Sequence, residues 1–497
     1  MPKILNKYCP PTKLFFVFGK AALSQSVPEY VFGHGSDNHI QNSQDRAAQD
    51  WRQVKKACGM IRFFSPFIFS LAVLLYLAVV GSNAYAGPKR FQWSTRISVS
   101  ETYDDNINLE KDNKEDDWIT SITPGLTLTV MTEETEVNLD YDLSFVLYAR
   151  NKDNNTVRHS LTLSGLKGIP IAEHLTLDLD ESFQVSEDPI EISDYVTSER
   201  RSRERYYRNT AGGRINYHFG EGDFFYAGFH HILLENDDPS LEDSQHYRPM
   251  AGFTYWFDIR NGVSLDYSYT RGEFDVSEDF DQHRSSATYT HRFSPRTQTN
   301  LSYSYDSFDY EEIREDYVGI REDYVVHSSS LGLSHQLTEQ VSGSISGGYY
   351  VQDREQSDDT SGFIGNASLD GTFRFEKGAF TLNGSSGYRQ QFFEAENLGF
   401  SKYYEASANF SYQLLERLST TLSGFYTRDD YKEAVPDRED DTWGGSAALN
   451  CLLFHWLSGS LSYQYRQMDS SIGANDYIDN RVTLTLTASY LGKPRFF

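Results

Sequence analysis

Val137-Asn138-Leu139-Asp140-Tyr141-Asp142-Leu143-Ser144-Phe145-Val146-Leu147 is the stretch that decides the fold. Apolar side chains stand at 137, 139, 141, 143, 145 and 147, with Asn138, Asp140, Asp142 and Ser144 between them. A period of two is a strand with one apolar and one polar face. The unit recurs. Leu301, Tyr303 and Tyr305 alternate with Asn300, Ser302 and Ser304. Val482, Leu484, Leu486, Ala488 and Tyr490 alternate with Arg481, Thr483, Thr485, Thr487 and Ser489. From Phe91 onward such runs follow one another, each closed by a break.

The breaks are of two kinds, and they alternate. Short ones fall at Met131–Glu134, Gly168–Glu173, Gly220–Asp223, Arg260–Gly262, Ser294–Thr297, Thr338–Gln340, Glu376–Gly378, Leu415–Arg417 and Phe454–Trp456. Long ones, mostly acidic and rich in tyrosine, include Asp104–Asp116, Ser186–Glu204, Asn236–Ser244, Asp306–Asp323, Asp353–Thr360, Asp429–Asp441 and Asp469–Asp479. Short turns at one end and long loops at the other are the pattern of an outer-membrane barrel, with the turns periplasmic and the loops extracellular. The expected fold is all-β: a transmembrane, antiparallel, up-and-down β-barrel of about 20 strands. It becomes 18 if Gly168–Glu173, the loosest turn, is misread. Tyr255, Tyr269, Tyr305, Tyr349, Tyr350, Tyr403, Tyr404, Tyr465 and Tyr490 lie near strand ends, where aromatic girdles form. The chain closes on Phe496-Phe497, with Pro494 interrupting that last strand.

Composition agrees with this reading. The mean hydropathy of −0.56 is too low for a bundle of membrane-spanning helices, each needing about 20 apolar residues in a row. Alternation cancels hydropathy in a barrel. One long apolar stretch exists, Ile61–Val80. With Arg62 before it and Ala84-Tyr85-Ala86 after it, the stretch reads as a secretory signal cleaved ahead of Gly87. Residues 60–86 are then the signal peptide and 87–497 the barrel, and 1–59 are an extension ahead of a true start at Met60. The barrel keeps 36 of the 45 basic and 67 of the 71 acidic side chains, an acidic balance that argues against nucleic acid as a partner. It retains Cys451 alone, so neither an intrachain disulfide nor a cysteine metal site is expected.

The inward register of the strands supplies the candidate lumen residues. Asp140, Asp142, Asp178, Asp180 and Asp266 fall on it in early strands, and Arg208, Arg214, Arg248, Arg284, Arg374, Arg389, Arg466 and Arg481 elsewhere. Opposed acidic and basic walls would set a field across the lumen. The alternative is that these charges pair with one another. Ser186–Glu204, acidic at Glu187–Asp194 and basic at Arg200–Arg203, is the best candidate for a loop folded inward.

No catalytic set emerges, and no cofactor or metal is expected. His230-His231 lies on a strand, and His218, His283, His291, His327 and His335 are scattered. The acidic runs Ser357–Thr360 and Asp437–Asp441 have no ordered cation-ligand spacing and read as solvated loops. The tandem Ile313–Val318 and Ile320–Val325 reads as an exposed loop tip.

The segment Glu101-Thr102-Tyr103-Asp104-Asp105-Asn106-Ile107, followed by Asp117–Leu126 with its Ile122-Thr123-Pro124-Gly125-Leu126, resembles the start of the putative β-barrel porin 2 family. The turn Phe293-Ser294-Pro295-Arg296-Thr297 is similar to that family's turns, and the resemblance extends over residues 91–490. It implies a cell outer-membrane barrel embedded in lipid, associated with exopolysaccharide systems and with a periplasmic export component. On that resemblance the expected function is an outer-membrane channel exporting or conducting exopolysaccharide. A general small-solute porin and a non-conducting barrel for adhesion or display are the alternatives. No catalytic residue comes with the resemblance, and the chain is not expected to be an enzyme.

Overall fold

The computed structural model describes residues 90–496 apart from 132–135, 193–196, 200–202, 239–240, 276, 312–321, 373–376, 392–397, 433–436 and 493–494. The expected start at Met60, the cleavage site at Ala84 and Ala86, Arg374 and most of the tandem copy lie outside the described residues.

Twenty long strands form the wall. They begin with β1 (Arg90–Asp104), β2 (Asp117–Met131), β3 (Glu136–Tyr148), β4 (Thr156–Ala172) and β5 (Leu175–Ser186). Next come β6 (Tyr206–His218), β7 (Phe224–Asn236), β8 (Ser244–Trp256), β9 (Asn261–Phe274) and β10 (Phe280–Ser294). Then follow β11 (Thr297–Tyr310), β12 (Tyr324–Gln336), β13 (Val341–Arg354), β14 (Thr360–Thr372) and β15 (Gly378–Gln391). The last are β16 (Gly399–Leu415), β17 (Leu418–Tyr431), β18 (Arg438–Phe454), β19 (Leu457–Ser470) and β20 (Tyr477–Leu491). Each pairs antiparallel with its neighbour in sequence, and β20 pairs back on β1 from Ser94–Leu491 to Asp104–Arg481. Closure removes the edges that hydrocarbon cannot solvate. The short strand Arg495–Phe496 extends that closure by pairing with Arg90 and Phe91.

The outward face carries the apolar half of the alternation. Leu301 pairs with Leu331 and Leu333 with Ile345, so exposed leucine and isoleucine run as a band from strand to strand. The periplasmic turns are tight for local reasons. Pro295-Arg296, Glu416-Arg417 and His455-Trp456 each form a two-residue connection. A register shift precedes each, at Arg292/Ser294, Gln413/Leu415 and Leu452/Phe454, a β-bulge that adds twist for the reversal. At β8–β9, Asp258 accepts from the backbone N–H of Arg260 (2.6 Å) and Asn261 (2.9 Å) and from the Asn261 amide (2.7 Å). Those bonds, the side-chain amide foremost, hold its carboxyl below the usual aspartate range.

One expected turn is displaced. Gly168–Glu173 is not the reversal: β4 continues through Pro170, paired with Thr176, to Ala172, and the chain turns at Glu173-His174. Gly168 has φ +69°, a left-handed conformation that suits glycine, and it bulges the strand without ending it. The count of 20 strands stands.

Candidate functional site

The inner face is lined by small hydroxyl side chains. Pairs across neighbouring strands hydrogen-bond around the wall: Ser98 with Thr487 (2.9 Å), Thr123 with Ser144 (2.8 Å), Thr254 with Ser264 (3.0 Å), Thr288 with Ser302 (3.0 Å), Ser344 with Ser368 (2.8 Å) and Ser423 with Ser446 (2.7 Å). Each alternates with exposed apolar residues on its own strand, which places the pair inside. These short side chains leave the lumen wide. Twenty strands spaced about 4.8 Å apart and tilted about 40° enclose about 40 Å between opposite backbones if round.

The charged candidates share this face, but as pairs and small clusters interleaved around the wall, not as two opposed walls. Arg96, absent from the expected set, bonds both Asp140 and Asp142. Arg214 meets Asp178 at 2.8 Å. Asp180 lies 3.8 Å from His230 Nε2, and Asp266 accepts from the Tyr226 hydroxyl at 2.6 Å. Arg284 approaches Asp306 at 3.5 Å, and Arg389 reaches Asp429 (3.3 Å) and Glu405 (3.4 Å). Arg466 donates to the Tyr477 hydroxyl at 2.8 Å and covers the Phe425 ring. Arg208 is buried on the inner face of β6, and Arg248 is exposed on that of β8. Arg271, also outside the expected set, gathers Asp279, Asp281 and Glu311 but does so on the outer face, with the parity of exposed Leu265 and Tyr267 on β9.

Burial is concentrated at the extracellular end, where the opening motif has a structural role. Asp104 Oδ1 accepts the Asn106 backbone N–H at 2.9 Å. Asp105 takes the backbone and side-chain N–H groups of Asn480, each at 2.7 Å, and locks β1 to β20. The Asn106 amide donates to the carbonyls of Glu110 (2.8 Å) and Ile478 (3.0 Å). Ile107 is fully buried with Ile119, Val146 and Tyr148. Asp104, Asp105 and Asp479 converge there. Arg481 answers two of them, 3.1 Å from Asp104 and 2.8 Å from Asp479.

The 187–205 loop is fastened to the same inner corner. Arg203 donates to the Tyr148 hydroxyl at 2.6 Å and to the Ile107 carbonyl, and it lies 3.8 Å from Asp104. At the other end of the loop, Glu187 binds Arg158 at 2.5 Å, and Asp188 lies 3.5 Å from Arg158 and 3.7 Å from Arg481. Both ends of the loop are therefore tied to inward-facing side chains, while Asp194 and Arg200–Ser202, part of the charged stretch that made this loop the inward-folding candidate, lie outside the described residues. In the 471–476 loop, the Lys111 ammonium, 2.7 Å from Asp476, and the Ser470 backbone N–H hold the Asp476 carboxyl below its ordinary value.

On the other side of the mouth lies an aromatic cluster that alternation alone does not announce. Phe280, Phe308, Tyr324, Val326, Tyr350 and Phe400 are all buried, with Phe274, Tyr310, Ile364 and Tyr388 packed against them. Tyr350 is thus inside the barrel and not in a girdle. Tyr403 is also inward, under the Arg389 guanidinium at 4.0 Å. Tyr349 and Tyr404 are the outward members of those two dipeptides, because successive residues of a strand cannot share a face. The legible signal was the apolar identity of Phe280, Phe308 and Val326 at inward positions.

No curated protein matches the sequence. Among solved structures the barrel is similar to OccAB4 of Acinetobacter baumannii, with 10% identity over 80% of this chain and 98% of that one and a TM-score of 0.37. It is also similar to OccK8 (OprE) of Pseudomonas aeruginosa, with 12% identity over 81% and 98% and a TM-score of 0.37. A BenF-like porin from Pseudomonas fluorescens Pf-5 shows 10% identity over 80% and 99%, with a TM-score of 0.38. The family match is narrower than the resemblance over 91–490, since it omits the opening motif and takes in the Phe293–Thr297 turn. Closed, apolar outside and polar inside, this is an outer-membrane β-barrel whose residues 277–490 match the family described as "Putative beta-barrel porin 2".

Proposed function

We propose that the barrel is a diffusion channel for small polar solutes, narrowed at its extracellular mouth. The observation that carries this reading is the set of paired serine and threonine hydroxyls distributed around the inner wall. Hydroxyls hydrate readily and project little, so they favour a water-filled passage with low affinity for what crosses it. The charges that remain are largely answered within the wall, which suits selection by size and modest charge preference over tight binding. The mouth, where both ends of the 187–205 loop are fastened to the inner wall, would set the size limit.

Passage of an exopolysaccharide is the second reading, raised by the family resemblance. An anionic polymer moving through the lumen needs a run of guanidinium groups available to successive sugars. Arg96, Arg214, Arg284 and Arg389 are instead engaged with carboxylates, which favours the small-solute reading. Liposome swelling with the full chain, using sugars and amino acids of graded size, separates the two. Fast entry of monosaccharides with a sharp size cut-off supports the channel proposed here. Block of ion current by long acidic oligosaccharides, with no small-solute flux, would favour the polymer.

A further inference from the structure

Among the described residues the wall is incomplete at one place. The ladder between β14 and β15 runs from Thr372–Ala379 to Gly365–Ser386 and stops. Beyond it, Thr360–Ile364 pair only with β13 and Gly387–Gln391 only with β16 among the described residues. The unpaired part is the extracellular third, at the level of the outer leaflet.

The end of β15 has moved into the lumen. Tyr388 and Phe400 have the outward parity of Leu382 and Tyr404, both exposed, yet they pack on the inward side chains of other strands. Phe400 lies 6.0 Å from the Tyr324 ring, and Tyr388 lies 4.9 Å from Tyr350. Tyr388 donates to Asp306 at 3.0 Å, and the Gln282 amide approaches Gln390 at 3.4 Å. In a round barrel of this size, strands four apart such as β11 and β15 would stand about 23 Å apart. A tyrosine, an aspartate and their hydrogen bond span about 13 Å at most. The strand end must therefore lie inside the circle. Gly399, at φ +68°, is where the chain re-enters β16 in a conformation other residues resist.

We propose that the ends of β15 and β16, Gly387–Gln391 and Gly399–Lys402, are a flap folded into the lumen that gates the channel by swinging outward to complete the β14–β15 ladder. This rests on the channel reading above. Each position of the flap has its own advantage. Folded in, it buries Phe308, Tyr324 and Tyr350 under Tyr388 and Phe400, but leaves backbone N–H and C=O groups of β14 without a strand partner among the described residues, beside hydrocarbon. Lys402 Nζ, donating to the Ser361 carbonyl at 3.1 Å, satisfies one of them. Swung out, the ladder is complete and the lumen is widened, but the aromatic surface is wetted. Two packings that trade unlike terms of comparable kind make a bistable element.

The test is a cysteine pair that closes only in the outward state. Continuing the ladder register from Gly365–Ser386 sets Ser361 opposite Gln390. Ser361→Cys with Gln390→Cys is placed in the full chain with Cys9, Cys58 and Cys451 changed to serine, and folding is checked by heat-modifiable migration. The expected result is a disulfide on mild oxidation of the folded barrel, a conductance in planar bilayers that rises severalfold with it, and reversal by dithiothreitol. Adding Tyr388→Phe should speed the crosslink. A folded barrel that never forms the disulfide, or that forms it with no rise in mean current, would overturn the gate. A disulfide that forms in a barrel silent in both states would overturn the channel reading itself.

Discussion

The Tyr388 hydroxyl sits 3.0 Å from Asp306 Oδ2, although the two residues belong to strands four apart in the wall. Asp306 is fully buried and also faces Arg284 and Gln282. The bond therefore ties a displaced strand end to a polar knot on the far side of the aromatic cluster.

Removing that tie should favour the open channel. Tyr388→Phe keeps the ring against Tyr350 and Phe400 and deletes one hydrogen bond to a carboxylate that retains other partners. A loss of about 1 to 1.4 kcal/mol corresponds to a five- to tenfold shift toward the outward flap. Single-channel recording should show a higher open probability with unchanged unit conductance.

Arg203 fastens one end of the 187–205 loop to Tyr148 and Asp104 from a buried position. Arg203→Ala should widen the size limit in swelling assays. It should also cost about 2 kcal/mol of barrel stability, less than a lone buried pair, because Arg481 still faces Asp104. Denaturant titration of the folded gel band checks the second part.

The Arg96 cluster predicts a change of sign in selectivity. Arg96→Ala leaves Asp140 and Asp142 without their shared cation, and the reversal potential in a salt gradient should move toward cation preference. Asp140→Asn combined with Asp142→Asn should move it the other way. Equal shifts in one direction would show that this cluster does not face the permeation path.

The two faces of β12 should respond differently to charge. Leu331, exposed on the apolar band at mid-strand, becomes costly as Leu331→Arg, by about 2 to 4 kcal/mol. Ser330→Arg, one residue away on the inner face, should cost far less and should lower conductance.

Much of this was legible in the sequence because a strand in a membrane has few ways to satisfy itself. The alternation at Val137–Leu147 places Asp140 and Asp142 inside whatever their partners are. The break lengths yield nine turns and ten loops without any contact being known. Partnership was not legible. Arg96 meets Asp140 and Asp142 only through the pairing of β1 with β2 and β2 with β3, and a single strand's period does not reveal what faces it. The Tyr349-Tyr350 and Tyr403-Tyr404 pairs show the same limit, since a girdle can use only one of each two. The unzipped end of β14 and β15 left no mark in the period either, for Phe363 and Leu382 alternate as they would in a complete wall. Its trace is chemical: Phe280, Phe308 and Val326 stand at inward positions where a wet lumen would hold polar side chains.

The most direct test is conductance of the full chain, purified from outer membranes and inserted into a planar bilayer. The account predicts discrete steps of current, more frequent in Tyr388→Phe and enlarged in Arg203→Ala, with monosaccharide flux in liposomes made from the same protein. A folded barrel that passes neither ions nor monosaccharides, in the wild type and in both variants, would contradict it.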